Sequence, residues 1–209
     1  RGQAGAKRHH GDHPEVTGRY RQASGPSFRD VAALGYLGPS QSAVVLVRPT
    51  PSDPSPLGFG VRCTVSTLMT GLWRAPDGTV FTVDRDGRAR WAADPWDAEG
   101  WLQQELDLCF YGVTGVSSSH VWAWGDRPSD GASLVRRWDG RDWKPITAPG
   151  FSIGAASVGD APWVAGEHGW VARFDGDRWT AVRIAGAVDI VAMHATGSSV
   201  CVVDRDGRL

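Results

Sequence analysis

A six-residue pattern recurring at nearly even spacing constrains this chain more than any other feature. The segments TVFTVD at 79–84, VWAWGD at 121–126, PWVAGE at 162–167 and SVCVVD at 199–204 align without gaps. Their acidic last residues, Asp84, Asp126, Glu167 and Asp204, lie 42, 41 and 37 residues apart. A fainter copy, AVVLVR at 43–48, precedes them by a further 36. A period of this size marks an array of supersecondary units, each unable to bury its own apolar faces alone.

The flanks repeat as well. After each acidic residue comes a turn, then a short alternating run such as SLVRRW at 133–138 or WVARFD at 170–175. A two-residue polar turn follows in WDGRDW at 138–143 and FDGDRW at 174–179, and a last short run starts at Trp143 or Trp179. WLQQEL at 101–106 fits that last slot, and YRQAS at 20–24 fits it more weakly. Asp-Gly pairs stand at 77–78, 86–87, 130–131, 139–140, 175–176 and 206–207. Such pairs suit the positive φ of tight hairpin turns. The runs between them alternate with period two, and no long helical stripe is present.

One unit therefore reads as four antiparallel strands in about 40 residues. Side-by-side stacking buries the Trp and Val faces between neighbours, and a ring leaves only short edges. The expectation is an all-β fold, a β-propeller of about five four-stranded antiparallel blades, with four as the alternative count. Blade-like repeats fall near 30–62, 63–106, 107–148, 149–184 and 185–209 plus 19–24, in one domain over 19–209 behind a flexible tail at 1–18. The N-terminal YRQAS and the C-terminal unit could close the ring by pairing in one blade; the rival reading is a fragment of a longer propeller. The stretch RPTPSDPSPLGFGVR at 48–62 replaces two expected strands with a Pro-rich loop.

The runs VWAWGD…SLVRRWDGRDW and PWVAGEHGWVARFDGDRWTAV resemble the Trp-rich repeats of bacterial kelch-like and sialidase-type (BNR, or Asp-box) β-propeller proteins. The match covers about 62–209 well and 19–48 weakly. APDGTVF at 75–81 keeps the Asp-Gly-Thr portion of an Asp-box but neither its first Ser nor its Trp. The resemblance speaks for architecture, since such propellers host many unrelated functions.

Composition narrows the partners. With Lys+Arg 22 against Asp+Glu 23 the formal net charge is -1, so no basic surplus exists for a nucleic-acid backbone. The longest aliphatic run, 43–47, is too short for membrane insertion. No secretory signal is visible, yet the chain begins with Arg, as a processed or excised piece would, and an extracellular or cell-envelope setting is slightly favoured. Cys63, Cys109 and Cys201 are too few and too scattered for a disulfide framework; they read as small buried strand residues, with one disulfide left open.

Candidate chemistry is sparse. The four acidic residues read as turn acceptors for backbone N–H groups in preference to a shared cation site, because fold residues repeat and sites seldom do. His9, His10 and His13 cluster in a polar terminus; a tail is favoured over a zinc or nickel site, and no metal and no cofactor are expected. No nucleophile elbow or phosphate loop is present, and no catalytic residue is assigned. Trp122, Trp138, Trp143, Trp163 and Trp179 recur and read as core. Trp73, Trp96 and Trp170 do not recur so cleanly, and Trp73 and Trp96 fall in expected turns. They are the candidate ligand-binding residues, with Arg74, His120, Arg127 and His168 as loop neighbours. The favoured function is a non-enzymatic scaffold that binds a protein or glycan through its loops. The alternative is a divergent sialidase-like or other glycoside-acting enzyme with its site at a central channel mouth.

Overall fold

A computed structural model describes residues 20–27, 30–38, 41–48, 58–65, 68–95, 97, 99–159 and 161–208. The described residues form four four-stranded sheets and one two-stranded sheet, all antiparallel and each with its strands adjacent in chain order. The first sheet holds β1 (Tyr20–Ser27), β2 (Asp30–Gly38), β3 (Gln41–Arg48) and β4 (Gly58–Val65). The second holds β5 (Met69–Arg74), β6 (Val80–Asp84), β7 (Arg88–Ala92) and β8 (Leu102–Glu105). The third holds β9 (Cys109–Ser117), β10 (His120–Asp126), β11 (Ser133–Trp138) and β12 (Trp143–Ile146). The fourth holds β13 (Ile153–Val158), β14 (Pro162–Gly166), β15 (Trp170–Phe174) and β16 (Trp179–Arg183). The fifth is the hairpin β17 (Ile190–Thr196) and β18 (Ser199–Asp204).

The first strand of every sheet packs beside the first strand of the next, in the order β1, β5, β9, β13, β17. These strands line an axis, and the others fan outward from it: the arrangement of a β-propeller. Strands nearest such an axis have the least room. Glycine meets that constraint, since a Cβ on Gly71 would stand 2.7 Å from the Gly112 Cα, and one on Gly154 would stand 2.5 Å from the Ile190 carbonyl oxygen.

Apolar cores lie between neighbouring sheets. Phe81, Val83 and Ala89 of the second sheet pack on Val113, Val121, Ala123, Trp138 and Trp143 of the third. Trp122, Trp124 and Val135 face Ile153, Val164 and Ala172 of the fourth. Ala165 and Val171 in turn meet Ile190, with Val200 and Val202 packed against them. The alternation of β6, β10 and β14 thus serves two interfaces at once. The recurrent Trp residues are part of this packing, as the Trp91–Trp138 ring pair at 4.5 Å between the second and third sheets illustrates.

Three expectations for the N-terminal region change. The copy AVVLVR belongs to β3, the third strand of its sheet, whereas TVFTVD, VWAWGD, PWVAGE and SVCVVD are second strands. YRQAS lies in β1 and pairs with β2, so it takes the innermost position and not a fourth-strand slot; among the described residues it shares no sheet with β17 or β18. The Pro-rich stretch contributes residues 58–62 to β4, which pairs with β3, while 49–57 lie outside the described residues. The physical reason is strand length: β1 to β4 run eight or nine residues each, which puts this sheet out of step with the shorter spacing of the others.

The gapless alignment also conceals a one-residue step. Opposite the innermost strand, Asp84 pairs with Met69 and Asp204 with Ile190, but Gly125 pairs with Phe110 and Gly166 with Ile153. Those four partners are all buried. Gly125 and Gly166 therefore occupy the place of the two aspartates, and Asp126 and Glu167 sit one residue beyond. A Cβ on Gly166 would stand 1.7 Å from the Ser152 carbonyl oxygen, because the connection there runs through the space that an Asp side chain fills in the second and fifth sheets.

Asp84 shows what that side chain does. Its Oδ1 accepts the Asp86 and Arg88 N–H groups at 3.0 Å, closing the turn, and its Oδ2 accepts from Arg90 at 2.8 Å. Arg90 in turn donates to Gln103 Oε1 at 2.8 Å, so the ion pair ties β6, β7 and β8 together. Both charged side chains are at least nine-tenths buried. Removing one partner of such a pair strands the other charge away from water. Arg90→Ala is therefore expected to lower unfolding stability by about 3 kcal/mol, while Arg88→Ala, at a more exposed pair, costs about 0.5 kcal/mol or less; urea unfolding of the two variants measures the difference.

Candidate functional site

Antiparallel alternation gives the fan two faces. On one, here the mouth face, the second strands end and the inter-sheet connections cross: the turns at 85–87, 127–132, 167–169 and 205–207 and the connections at 106–108, 147–152 and 184–189. The other, the hairpin face, carries the turns at 75–79, 118–119, 139–142, 159–161, 175–178 and 197–198.

The residues singled out from sequence divide between these faces and do not converge. Trp73 and Arg74 end β5 on the hairpin face, so Trp73 is a strand residue and not a turn residue. Trp73 packs against the core between the second and third sheets, 5.9 Å from the Phe81 ring. It also covers Gly115 so closely that a Cβ there would stand 2.8 Å from the indole. Arg74 is half-buried and donates from Nε to the Gly78 carbonyl at 3.4 Å. His120 opens β10 on the same face, exposed, with Nδ1 3.0 Å from Ser119 Oγ. Trp96 lies outside the described residues, as do His9, His10 and His13.

Arg127, His168 and Trp170 belong to the mouth face. Arg127 pairs with Asp130 at 2.8 Å within its own turn. His168 takes φ 55, the left-handed region that a non-glycine side chain rarely adopts, in a single 3₁₀ turn at Glu167–Gly169. Its N–H donates to Asp189 Oδ1 and its carbonyl accepts from Arg183 Nε, so the strained residue is tied at both ends. Trp170 opens β15, half-buried, with its ring stacked on Phe151 at 6.2 Å and 16°. Trp73 and Trp170 are thus half-buried residues packed against the inter-sheet cores.

The turns of the hairpin face are held by local hydrogen bonds and, at Asp77, by one from the neighbouring sheet. Burial works against ionisation of Asp77, but hydrogen bonds from Ser118 and Thr79 outweigh it and hold the carboxyl below its ordinary range. Lys144 and the N–H groups of Asp142 and Arg141 hold Asp139 well below that range, and the Arg178 and Asp177 N–H groups lower Asp175 in the same way.

The mouth face has shape. A groove of about 380 Å³ lies between the third and fourth sheets, lined by Gly131, Ser133, Gly150, Phe151, Ser152 and Glu167. A second, of about 310 Å³, lies between the fourth and fifth, lined by Ser152, Gly154, Glu167, Asp189, Val191 and Arg205. The two adjoin at Ser152 and Glu167, whose Oε1 accepts the Ser152 N–H at 3.2 Å. Asp189 pairs with Arg205 at 3.1 Å on the second groove's wall, and Val191 stands half exposed beside it. Around the same mouth, Tyr111 donates to Asp126 Oδ2 at 2.6 Å, and Ser133 donates to Asp126 Oδ1 at 2.7 Å.

The acidic positions therefore act within the fold: Asp84 and Asp204 inside turns, Asp126 between Tyr111 and Ser133 of its own sheet, and Glu167 on the Ser152 N–H. Asp204 is held below the ordinary carboxylate range chiefly by the Arg208 N–H. No group of three or more His, Cys, Asp or Glu among the described residues is placed to hold a metal ion, and no described helix is long and apolar enough to cross a membrane. Cys109 and Cys201 are free thiols. Ser152, Asp189, Val191, Arg205 and Tyr111 were not anticipated; all but Arg205 fall outside the repeated segments, and Arg205 stands in VDRDGR, whose repetition marks a turn and not a groove.

Comparison with known proteins returns architecture. No protein-family model and no curated protein matches the chain. Solved structures do. YCF48 from Cyanidioschyzon merolae superposes with a TM-score of 0.64 at 13% identity, over 93% of this chain and 69% of that one. A structure described as YCF48 bound to D1 peptide gives 0.60 at 12%, over 92% and 65%. The WD40 repeats of RRP9 give 0.61 at 13%, over 87% and 58%. The fold is that of β-propeller repeat proteins, and the chain spans less than two thirds of the last two structures.

Two outcomes follow from these environments. The hydrogen bond to Asp126, followed by burial, raises the Tyr111 hydroxyl to about 12. Asp126→Asn removes the charge, so Tyr111 should titrate closer to its model-peptide value of about 10, read from phenolate absorbance against Tyr111→Phe. Trp73→Ala should cost about 3 kcal/mol of stability by opening the inter-sheet core, measured by denaturant unfolding.

Proposed function

We propose that this protein is a non-enzymatic β-propeller scaffold that binds an extended polypeptide along the adjoining grooves of its mouth face. The observation that carries the reading is the pair of grooves meeting at Ser152 and Glu167. Their walls offer what a polypeptide backbone requires: exposed main chain at glycines, hydroxyl and carboxylate acceptors, the Arg205 donor and an apolar contact at Val191. That a protein of this fold has been solved with a bound peptide supports the class of ligand. Residues 19–209 are taken as one propeller domain behind a tail at 1–18. Kinship with kelch-like or Asp-box propellers rests on the Trp-rich repeats alone.

A glycoside-acting site needs two carboxylates flanking one bond. Here Asp84 is engaged by Arg90, Asp126 by Tyr111 and Ser133, and Glu167 by Ser152. A glycan platform would need an open aromatic face, and Trp73 and Trp170 are committed to packing.

A displayed random-peptide library selected on the wild-type protein tests the proposal. Enriched peptides should lose affinity about tenfold or more against Val191→Glu and Glu167→Lys. Selected peptides insensitive to both variants, or no enrichment on folded protein, would reject the mouth face as the binding surface.

A further inference from the structure

The gap between the second and third sheets and the gap between the third and fourth follow one plan and are filled differently. Asp84 and Gly125 hold the same place in their sheets, so Phe81 and Trp122, each three residues before, also correspond. Across the second sheet Phe81 pairs with Trp91, and Trp91 with Leu102. Across the third, Trp122 pairs with Arg137, and Arg137 with Lys144. The opposite walls match as well: Trp138 pairs with Trp143 in the third sheet as Phe174 does with Trp179 in the fourth.

In the first gap the space is taken by an indole, since the Trp91 ring lies 4.5 Å from that of Trp138. In the second, Arg137 stands at the position of Trp91 and Lys144 at that of Leu102. A linear side chain fills less of the space than a fused ring, and a groove of about 510 Å³ is left open there. Arg137, Lys144, Ile146 and Thr147 line one side, and Phe174 and Asp177 the other. It shares no lining residue with the two grooves of the mouth face.

The charges of this groove are not all matched from within. Lys144 is paired with Asp139, whose carboxyl is held well below its ordinary range by that lysine and by the Asp142 and Arg141 N–H groups, so the two stay oppositely charged at neutral pH. Arg137 has no such partner. Its Nε is buried without a hydrogen bond, and no ion pair engages it among the described residues. A buried donor without an acceptor is costly, the more so on a charged group. The groove therefore lacks two things, a flat ring beside Phe174 and an acceptor for a guanidinium.

We propose that the groove between β12 and the turn at 175–178 is a binding site for a small aromatic carboxylate. The ring lies against Phe174 as Trp91 lies against Trp138, and the carboxylate accepts from the Arg137 guanidinium. The planar fork of a guanidinium matches a carboxylate with two parallel hydrogen bonds, which sets the orientation of the ligand as well as its charge. Ile146 adds an apolar contact beside the ring, and the Thr147 hydroxyl stands at the end of the groove toward the mouth face.

The probe is indole-3-carboxylate, titrated into the ¹⁵N-labelled full chain and followed by amide chemical shifts, with indole-3-carboxamide as its uncharged counterpart and tryptamine as a cationic one. The carboxylate should give saturable shifts concentrated at residues 137–147 and 174–177, with an affinity about tenfold or more above that of the carboxamide. This comparison leaves the protein unaltered, so it holds whether or not a variant folds. Arg137→Met should weaken binding about tenfold, and Arg137→Trp, which supplies the ring found at Trp91, should abolish it. Val191→Glu, on the mouth face, should leave it unchanged, so failure here is separate from failure of the peptide-groove reading. No saturable shift at about 10 mM, equal affinity for the carboxamide, preference for tryptamine, or binding that survives both Arg137 variants would overturn the proposal.

Discussion

The fold depends on how closely the innermost strands can approach. In a fan of sheets the separation between neighbours shrinks toward the axis, and at its narrowest no side chain fits. Gly71 against Gly112 and Gly154 against Ile190 mark those points. Away from those points the gap between the second and third sheets is filled by larger groups, Phe81 and Val83 on β6 and Trp138 with Trp143 on the two outer strands of the third sheet. The glycines set how near the inner strands come, and the rings fill the space that remains between neighbouring sheets.

Turn chemistry made much of the architecture legible. Asp-Gly turns punctuate short alternating runs, and the positive φ of Gly78, Gly87, Gly140, Gly176 and Gly207 is what those pairs provide. The N-terminal sheet was misjudged because its long strands break the spacing, so AVVLVR resembled a second strand while serving as a third.

The site was far less legible. Alignment made Asp84, Asp126, Glu167 and Asp204 look equivalent, yet a shift of one residue puts Asp84 and Asp204 inside turns, Asp126 between Tyr111 and Ser133, and Glu167 at a groove. Character strings do not record which side of a sheet a residue faces after a bulge such as that between Trp124 and Gly125. Trp73 misled for a related reason: its place on an inner strand, over Gly115, is set by the neighbouring sheet. Val191 and Asp189 sit in or beside a strand whose sequence gives no sign of the cleft it borders.

Among the described residues, the stronger contacts between sheets run from each to the next in sequence. Such a molecule behaves as a linear chain of coupled units, in which the free energy is a sum of unit terms and nearest-neighbour terms. Its ordering from the unfolded state can begin at any well-matched pair of units and spread outward. An inner unit with two flanking neighbours then opens to solvent exchange more rarely than one at either end of the described array.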